Sequence, residues 1–343
     1  MISILLLIAV GITVVNACKK TDGARRYAPT PLSFVTPPGF PNPVNIFENN
    51  PLTQEGFALG RKLFYDGRLS KDGNFPCSSC HQQFAAFSTF DHQLSHGFNN
   101  QFTTRNAPGL FNMAWQREFH WDGGINHIEV QPLAPITAPN EMAEDINNIV
   151  SKLDQDPQIR DMFTAAFGDH TINSQRILYA LAQFVGSLVS SDSKYDRMKK
   201  GEASFNVSEQ QGYQIFTVKC ASCHAEPLFT DLSYRNTGIS LHPQLQDFGR
   251  MIITGNSSDS LKFKVPSLRN VAISGPYGHD GRFTAISQML NHYSEEVEPG
   301  PTLDPLLANK IPLSDVEKFY LREFLFTLTD SSFINDKRFS APE

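Results

Sequence analysis

The amino-acid sequence predicts a mainly α-helical protein of two related domains, with long loops and little strand. Apolar residues recur at helical spacing in several segments, whereas the alternating pattern of a strand is sparse. A series of short motifs occurs twice in the same order, which indicates an internal repeat. The 343 residues are enough for two domains that each bury a core.

Composition and charge narrow the class of protein. Hydrophobic residues make up 40% of the chain and charged residues 19%, which excludes a disordered chain or a polar coiled coil. The net charge is −6, from 29 basic and 35 acidic residues, and the sequence contains no basic run. We therefore expect no nucleic-acid partner.

The N-terminal segment has the pattern of an export signal. Residues 2–15 are apolar, too short for a comfortable membrane span but suited to the core of a signal peptide. The Asn-Ala-Cys that ends at Cys18 resembles a lipobox, although no Lys or Arg precedes the apolar run. We expect a lipoprotein-type signal peptide over residues 1–17, a lipidated Cys18 and export. The alternative is a buried N-terminal helix with an incidental cysteine.

A proline-rich stretch and the first helix signals come next. Residues 18–50 are expected to form an extended tether or arm, because closely spaced prolines prevent helix formation. Thr53 is the expected N-cap of the first helix. Residues 177–189 carry apolar side chains at the spacing of an amphipathic helix. Ser208 and Gln211 have the spacing of a capping box that opens a later helix.

Two copies of one cysteine motif carry the strongest functional signal. Each copy is Cys-x-x-Cys-His, at residues 77–81 and 220–224. This is the attachment signature of c-type haem, in which two thiols add to the porphyrin vinyl groups and the histidine supplies an axial ligand to iron. A zinc site would leave both histidines unexplained, and a disulfide across so short a loop would be strained. We therefore expect two covalently attached c-type haems, held by Cys77, Cys80, His81, Cys220, Cys223 and His224.

Further landmarks repeat around the two motifs. Residues 60–64, Gly-Arg-Lys-Leu-Phe, precede the first motif, and the similar residues 212–216, Gly-Tyr-Gln-Ile-Phe, precede the second. Downstream, residues 108–112 parallel residues 266–270, and an Asp-Gly pair follows ten residues after the asparagine that ends each. Self-similarity across several ordered landmarks indicates two related units.

The repeat predicts two cytochrome c-like domains, each with one covalently attached c-type haem. We expect the N-terminal domain over residues 51–195 and the C-terminal domain over residues 196–335. The boundary is expected in the polar stretch 190–201, where polar residues and glycine are typical of a linker.

From about residue 50 to about residue 330, the chain resembles the bacterial di-haem cytochrome c peroxidase family, including its MauG-like branch. In that family the N-terminal haem is the peroxidatic site and the C-terminal haem relays electrons from an external donor. Besides the two haem motifs, the resemblance rests on residues 63–70, 105–108, 121–123, 141–142, 265–270 and 276–282.

The resemblance implies roles for residues around the first haem. His81 matches the proximal ligand, and His96 matches the distal histidine. His92 lies four residues before His96, could share a helical face with it, and is the alternative. Glu141 matches the distal acid–base residue, which suits a chemistry that must move a proton between the two oxygens of peroxide. The structural alternative is that Glu141 lies at the N-terminus of a helix, where its negative charge interacts favourably with the helix dipole.

The resemblance also implies residues between the haems. Trp121 matches a tryptophan that would conduct electrons, while a core aromatic is its structural alternative. Gly124 departs from the family pattern, in which Arg follows Trp-Asp-Gly, and this puts an anion contact in doubt. The family's calcium ion would be held by Asn106, Ser274 and Pro276, since side-chain and carbonyl oxygens suit a hard cation.

The second haem has His224 as its expected proximal ligand and an open choice for its distal ligand. Tyr293 stands where classical di-haem peroxidases have methionine, and tyrosine at this position resembles the MauG-like branch. Met289 lies one helical turn earlier and is the rival, followed by His292. Methionine raises a haem potential, whereas tyrosinate favours the ferric state. We favour Tyr293.

These features predict a di-haem cytochrome c peroxidase that reduces hydrogen peroxide to water. The electron donor is expected to be a small periplasmic cytochrome c or cupredoxin, and the family resemblance implies a homodimer. We expect a lipoprotein that faces the periplasm of a Gram-negative bacterium and is attached to the membrane by its lipid. The alternatives are a MauG-like oxidase that acts on a protein substrate and a non-enzymatic di-haem electron carrier.

Overall fold

The structure is a computed structural model that describes residues 27–44 and 47–342. The expected signal peptide and Cys18 lie outside these described residues. None of the helices in the described ranges is both long enough and apolar enough to span a membrane. The predicted mainly helical architecture is confirmed. In this part of the chain, regular strand is limited to one two-residue antiparallel pair.

Helices of four to thirteen residues provide most of the regular structure. The α-helices are α1 (Gln54–Phe64), α2 (Cys77–Cys80), α3 (Leu133–Thr137), α4 (Ile146–Asp154), α5 (Pro157–Phe167), α6 (Ser174–Gly186), α7 (Lys194–Lys199), α8 (Val207–Lys219), α9 (Met251–Thr254), α10 (Ile286–Asn291), α11 (Asp315–Phe326) and α12 (Ser331–Ile334). The strands are β1 (Tyr234–Arg235) and β2 (Phe263–Lys264). Short 3₁₀-helices lie at Gly67–Leu69, Gln83–Ala85, Phe98–Asn100, Met113–Trp115, Ser257–Asp259 and Pro305–Leu307, and a π-helical turn lies at His292–Glu296.

Helices α1 and α6 form the first close helix pair. Thr53 caps α1 as predicted, because its hydroxyl oxygen accepts a hydrogen bond from the Gly56 amide at 3.0 Å. The amphipathic helix predicted from residues 177–189 is α6. The two helices approach so closely at Gly60 that a Cβ atom there would lie 1.9 Å from the carbonyl oxygen of Ala180. Only glycine permits this crossing.

Helices α8 and α11 form a second pair with the same geometry. Gly212, the repeat partner of Gly60, lies at their crossing, where a Cβ atom would be 1.9 Å from the carbonyl oxygen of Tyr320. The repeated glycines of the sequence therefore mark two equivalent helix contacts.

The predicted capping box at the start of α8 is wrong. Asn206, not Ser208, is the N-cap, and its side-chain oxygen accepts from the Glu209 amide at 2.9 Å. The Glu209 carboxylate accepts from the Asn206 amide at 2.8 Å and closes the box.

Two separate hydrophobic clusters surround the two helix pairs. The first includes Phe64 and Phe184, and the second includes Phe216 and Phe324, all at most 1% exposed. The polar stretch 190–201, which was expected to be a linker, carries α7. The end of the chain returns to the first cluster, where Phe333 and Phe339 pack against it.

The described part of the proline-rich stretch is a docked arm. The indole nitrogen of Trp115 donates to the carbonyl oxygen of Pro41 at 2.8 Å. The same ring packs against Phe34 and Phe40, with centroid distances of 5.7 and 5.1 Å. Residues 27–44 are thus part of the packed fold.

Alanine at either helix crossing is expected to destabilise the protein. Gly60→Ala or Gly212→Ala should lower the free energy of unfolding by about 1–3 kcal/mol, because the added methyl group meets backbone that cannot rotate away. Gly300→Ala is the matched control, since no atom lies within 4 Å of a Cβ atom there. Chemical denaturation of the three variants measures the effect. Equal stability of all three would contradict the close approach.

Candidate haem site

A cavity of about 970 Å³ extends through both halves of the molecule and reaches both Cys-x-x-Cys-His motifs. Most of the residues singled out from the sequence line it. They are Cys77, Cys80, His81, His96, Asn106, Trp121, Glu141, Cys220, Cys223, His224, Ser274, Pro276, Met289 and Tyr293. The alternatives His92 and His292 are absent from this lining.

The four cysteines of the motifs are free thiols. Cys77 and Cys80 begin and end the single-turn helix α2, which directs both side chains toward one face. Burial raises the pKa of the Cys77 thiol to about 12, and that of Cys220 to about 12 as well. Free, half-buried thiols at this spacing could each form a thioether bond with one vinyl group of a haem.

Each motif histidine has its Nδ1 atom bonded to a backbone carbonyl oxygen. The Nδ1 atom of His81 donates to the carbonyl oxygen of Phe87 at 2.8 Å, and that of His224 donates to Phe229 at 3.2 Å. Burial lowers the pKa of His81 to about 4 and also lowers the pKa of His224. Both rings are therefore neutral with Nε2 available, as an axial ligand requires.

Glu141 presents a half-buried carboxyl group to the first half of the cavity. Burial raises its pKa, and no charged partner opposes this effect. Glu141 lines the same cavity as Cys77, Cys80 and His81. The backbone around Glu141 is fixed, because its carbonyl oxygen accepts from the Phe98 amide at 2.7 Å. A carboxyl group with a raised pKa keeps its proton to a higher pH than an exposed carboxyl group does, which suits a group that accepts and returns a proton.

Of the two candidate distal histidines, the structure brings only His96 to the cavity. Its Nδ1 atom bonds the side-chain oxygen of Asn100 at 2.8 Å, and its ring packs on Phe102 with a centroid distance of 4.4 Å. His92 is exposed and contacts Asp91. The two histidines lie in a loop, so the suggestion that they share a helical face is wrong.

Trp121 lies where the two halves of the repeat meet. Its indole nitrogen donates to the carbonyl oxygen of Asn106 at 2.9 Å. Its own carbonyl oxygen accepts from the Lys264 amide at 2.7 Å, and the Asn106 amide donates to the carbonyl oxygen of His279 at 2.8 Å. Lys264 and His279 are the repeat equivalents of Asn106 and Trp121, so the contact is nearly symmetric.

Sequence reasoning missed the role of Arg105, which joins the halves beside Trp121. Its guanidinium group donates to Asp122 at 2.6 Å and to both carboxylate oxygens of Asp247 at 2.6 and 2.8 Å. Both aspartates are buried. Gly124 contributes only a backbone amide, which donates to Asp122 at 2.9 Å. The sequence contained no signal for these pairs, since Asp247 lies 142 residues away.

Gln131 and His120 also line the cavity and were missed. Their side-chain nitrogens are 3.3 Å apart, and burial lowers the pKa of His120. A polar amide and an imidazole that line this cavity could hydrogen-bond a small polar molecule.

Tyr293 and Met289 both line the second half of the cavity. Burial raises the pKa of the Tyr293 phenol, and the thiols of Cys220 and Cys223 contribute to this, so the phenol lies near the second motif. His292 is directed elsewhere, because its Nε2 atom pairs with the carbonyl oxygen of Thr237 at 2.9 Å.

The three residues expected to hold calcium line the cavity together, at the contact between the halves. The Asn106 side-chain amide donates to Gln93 at 3.0 Å, which leaves its oxygen available to a cation. Ser274 and Pro276 could contribute only carbonyl or hydroxyl oxygens. No cluster of three or more His, Cys, Asp or Glu side chains suited to a metal occurs within the described residues. Calcium therefore stays a prediction.

A family model described as di-haem cytochrome c peroxidase matches residues 54–204. The chain is 34% identical over 305 residues to the methylamine utilization protein MauG of Methylophilus methylotrophus, covering 86% of this chain and 87% of that protein. The chain belongs to the di-haem cytochrome c peroxidase family. It is also 35% identical over 239 residues to a cytochrome c551 peroxidase of Nitrosomonas europaea, covering 68% and 70% of the two chains.

Among solved structures, the fold is similar to one described as a MauG-like protein associated with microbial copper homeostasis. The TM-score is 0.80 at 33% identity, over 91% of this chain and 99% of that chain. Membership in a di-haem family implies two haems, and the residues present fit them. Four free thiols, two neutral histidines with Nε2 available and one continuous cavity are the features that two c-type haems require.

Proposed function

We propose that this di-haem family member is a cytochrome c peroxidase that reduces hydrogen peroxide to water. The observation that carries the proposal is the half-buried Glu141 carboxyl group, which shares the first half of the cavity with the Cys77–His81 motif. An electron carrier with two sealed haems would have no use for such a group. The reaction needs a proton moved between the two oxygens of peroxide, and a carboxyl group with a raised pKa can do this.

The haems would be held in two cytochrome c-like domains, over residues 51–195 and 196–335. The two hydrophobic clusters and the two equivalent helix pairs support this division. Cys77, Cys80 and His81 would hold the first haem, and Cys220, Cys223 and His224 the second. When bound, the first haem supplies a redox-active iron at which peroxide is reduced, and the second supplies electrons.

The chain's own residues would act on the substrate and the electron path. Glu141 takes a proton from the oxygen of peroxide nearest to it and returns it to the departing oxygen. His96 lines the same cavity and precedes Gly97, which packs against the Glu141 backbone, so it is the candidate for a displaceable distal ligand. Trp121 lies between the two motifs and is bonded to both halves of the repeat, which suits a path for electrons.

An optical titration of the purified holoprotein with peroxide tests the proposal. With a reduced small cytochrome c or cupredoxin present, we expect steady oxidation of two donor molecules for each peroxide consumed. The control is the same titration without donor, which should stop after the haems have reacted. A lasting oxidised spectrum with little consumption of donor would contradict the peroxidase and favour a MauG-like oxidase.

The MauG-like oxidase is the second candidate, and Tyr293 is the observation that favours it. Tyrosine lies in the second half of the cavity at the position where classical members have methionine. Relatives called MauG and relatives called peroxidase match at similar identity, 34% and 35%. Such an enzyme would oxidise a residue of a protein substrate instead of a small donor.

We further infer a periplasm-facing lipoprotein attached to the membrane through Cys18. The lipobox-like sequence supports this location, because covalent haem attachment takes place outside the cytoplasm and the signal fits export. A homodimer and a calcium ion held by Asn106, Ser274 and Pro276 complete the proposed assembly.

A further inference from the structure

The two halves of the repeat differ at one buried position behind the second haem motif. Residues 108–112 and 266–270 are equivalent, but Phe111 stands in the first where Arg269 stands in the second. Arg269 is 0% exposed, and it is the bulkiest of the fully buried side chains in the described residues. A buried guanidinium costs free energy of desolvation, so a specific set of partners must compensate it.

Arg269 has partners on every side. Its two terminal nitrogens donate to the two carboxylate oxygens of Asp196, each at 2.8 Å. Its guanidinium lies 4.8 Å from the ring centre of Phe40, on the docked arm, and 5.6 Å from that of Phe229. The guanidinium thus packs against both the docked arm and the turn that follows the second haem motif.

The remaining nitrogen of Arg269 connects the ion pair to the turn after His224. Its Nε atom donates to the carbonyl oxygen of Pro227 at 2.9 Å. The Ser267 hydroxyl donates to the carbonyl oxygen of Leu228 at 2.6 Å, and the Leu268 amide donates to that of Phe229 at 3.2 Å. Three consecutive carbonyl groups of the turn are therefore held by residues 267–269.

The last of these carbonyl groups is the one that orients the proximal histidine, since the His224 Nδ1 atom donates to Phe229 at 3.2 Å. The first half has the equivalent backbone contacts: the His81 Nδ1 atom and the Leu110 amide both donate to the carbonyl oxygen of Phe87. Phe111, however, has no side-chain donor that could bind the turn after His81, as Arg269 binds the turn after His224. The support from a charged side chain is present only behind the second motif.

We propose that Arg269 is a positioning residue for His224. Arg269 fixes the turn that carries the Phe229 carbonyl, and it thereby makes the reduction potential of the second haem differ from that of the first. This inference rests on the proposed function, because it requires a haem on His224. Asp196 serves by holding the guanidinium in place, and Phe40 closes the site from the arm.

The physical basis is the hydrogen bond on the ligand. A bond from Nδ1–H to a carbonyl oxygen increases the basicity of an axial imidazole and stabilises ferric iron. If the turn loosens, this bond weakens, and the ferrous state of the second haem becomes more favourable. The first haem should not respond, because Phe87 is held without Arg269.

The experiment measures both haem potentials by spectroelectrochemistry in the intact holoprotein. Arg269→Met combined with Asp196→Asn removes the ion pair without leaving a buried charge. We expect the ferrous-to-ferric ratio of the second haem at a fixed applied potential to increase tenfold. This corresponds to a rise of about 59 mV in the reduction potential of a one-electron couple. The potential of the first haem should be unchanged. Resonance Raman should show a weaker iron–histidine stretch for the second haem alone.

Arg269→Lys is the second variant, because it keeps the charge but cannot hold Asp196 and Pro227 together. It should shift the second potential in the same direction by a smaller amount. Phe111→Leu is the matched control in the first half and should leave the second potential unchanged. Equal shifts of both haems, or no shift in either Arg269 variant with both haems bound, would overturn the inference. Fewer than two haems in the unaltered protein would instead contradict the proposed function.

Discussion

Replacing Glu141 by glutamine is expected to reduce peroxide turnover by about 10²-fold to 10⁴-fold, the usual contribution of a positioned acid–base group. Glutamine has nearly the same shape but cannot accept and return a proton at the peroxide oxygens. Both haems should remain covalently bound, because Glu141 lies outside the residues that attach them. Steady-state turnover with a reduced donor and the haem content of the purified variant are the two measurements.

The pH dependence of turnover gives a second readout. Burial raises the pKa of Glu141 above the ordinary carboxyl value of 4.5. Glu141 must be ionised to accept the first proton, so turnover should rise as the pH increases through this raised pKa. The acidic limb of the profile should then be missing in Glu141→Gln.

Glu129→Gln is the matched control for this prediction. Glu129 precedes Glu141 by twelve residues and takes no part in lining the cavity. Its replacement removes the same charge from the same half of the molecule, and turnover should stay within about twofold. Unchanged turnover in Glu141→Gln, or an equal loss in both variants, would remove Glu141 from the proposed mechanism.

The parts of the site that follow from local sequence were predictable. A Cys-x-x-Cys-His motif places two thiols and an imidazole within five residues, so Cys77, Cys80 and His81 come together with little help from the rest of the chain. The same holds for Thr53, which caps α1 through a hydrogen bond only three residues away. Recognition of Glu141 and Trp121 depended on the resemblance to the family.

The missed features depend on contacts between distant segments. Arg105 binds Asp122 and Asp247, which lie 17 and 142 residues away in sequence. Arg269 binds Asp196 and Pro227, which lie 73 and 42 residues away. No local pattern predicts such pairs. The repeat does not predict the role of Arg269 either, because the equivalent residue of the first half is Phe111.

The wrong predictions arose where two local signals competed. Asn206 with Glu209 and Ser208 with Gln211 have the same spacing at the start of α8. The earlier pair forms, because a glutamate in the first turn also interacts favourably with the helix dipole. His92 was placed on a helical face with His96, but Asp91 has a φ of 62° and Asn99 a φ of 54°, and helix does not continue through either residue.

Replacing Tyr293 by phenylalanine is expected to change the second haem strongly and the first very little. If the phenol oxygen is the distal ligand, its removal leaves the iron without an anionic partner that favours the ferric state. The potential of the second haem should rise and its ferric optical spectrum should change. Spectroelectrochemistry of both haems, with the first as an internal reference, measures this.

Met289→Leu is the variant that decides between the two candidates. Met289 lies on α10 one turn before Tyr293 and lines the same half of the cavity, so either side chain could reach the iron. Tyr293, however, lies in the π-helical turn that follows α10. Such turns often occur at functional sites. A silent Tyr293→Phe together with a lower potential in Met289→Leu would assign the ligand to methionine, and with it the classical peroxidase branch. The opposite pair of results would assign it to tyrosine, which is the arrangement that favours a long-lived oxidised state and a MauG-like oxidation.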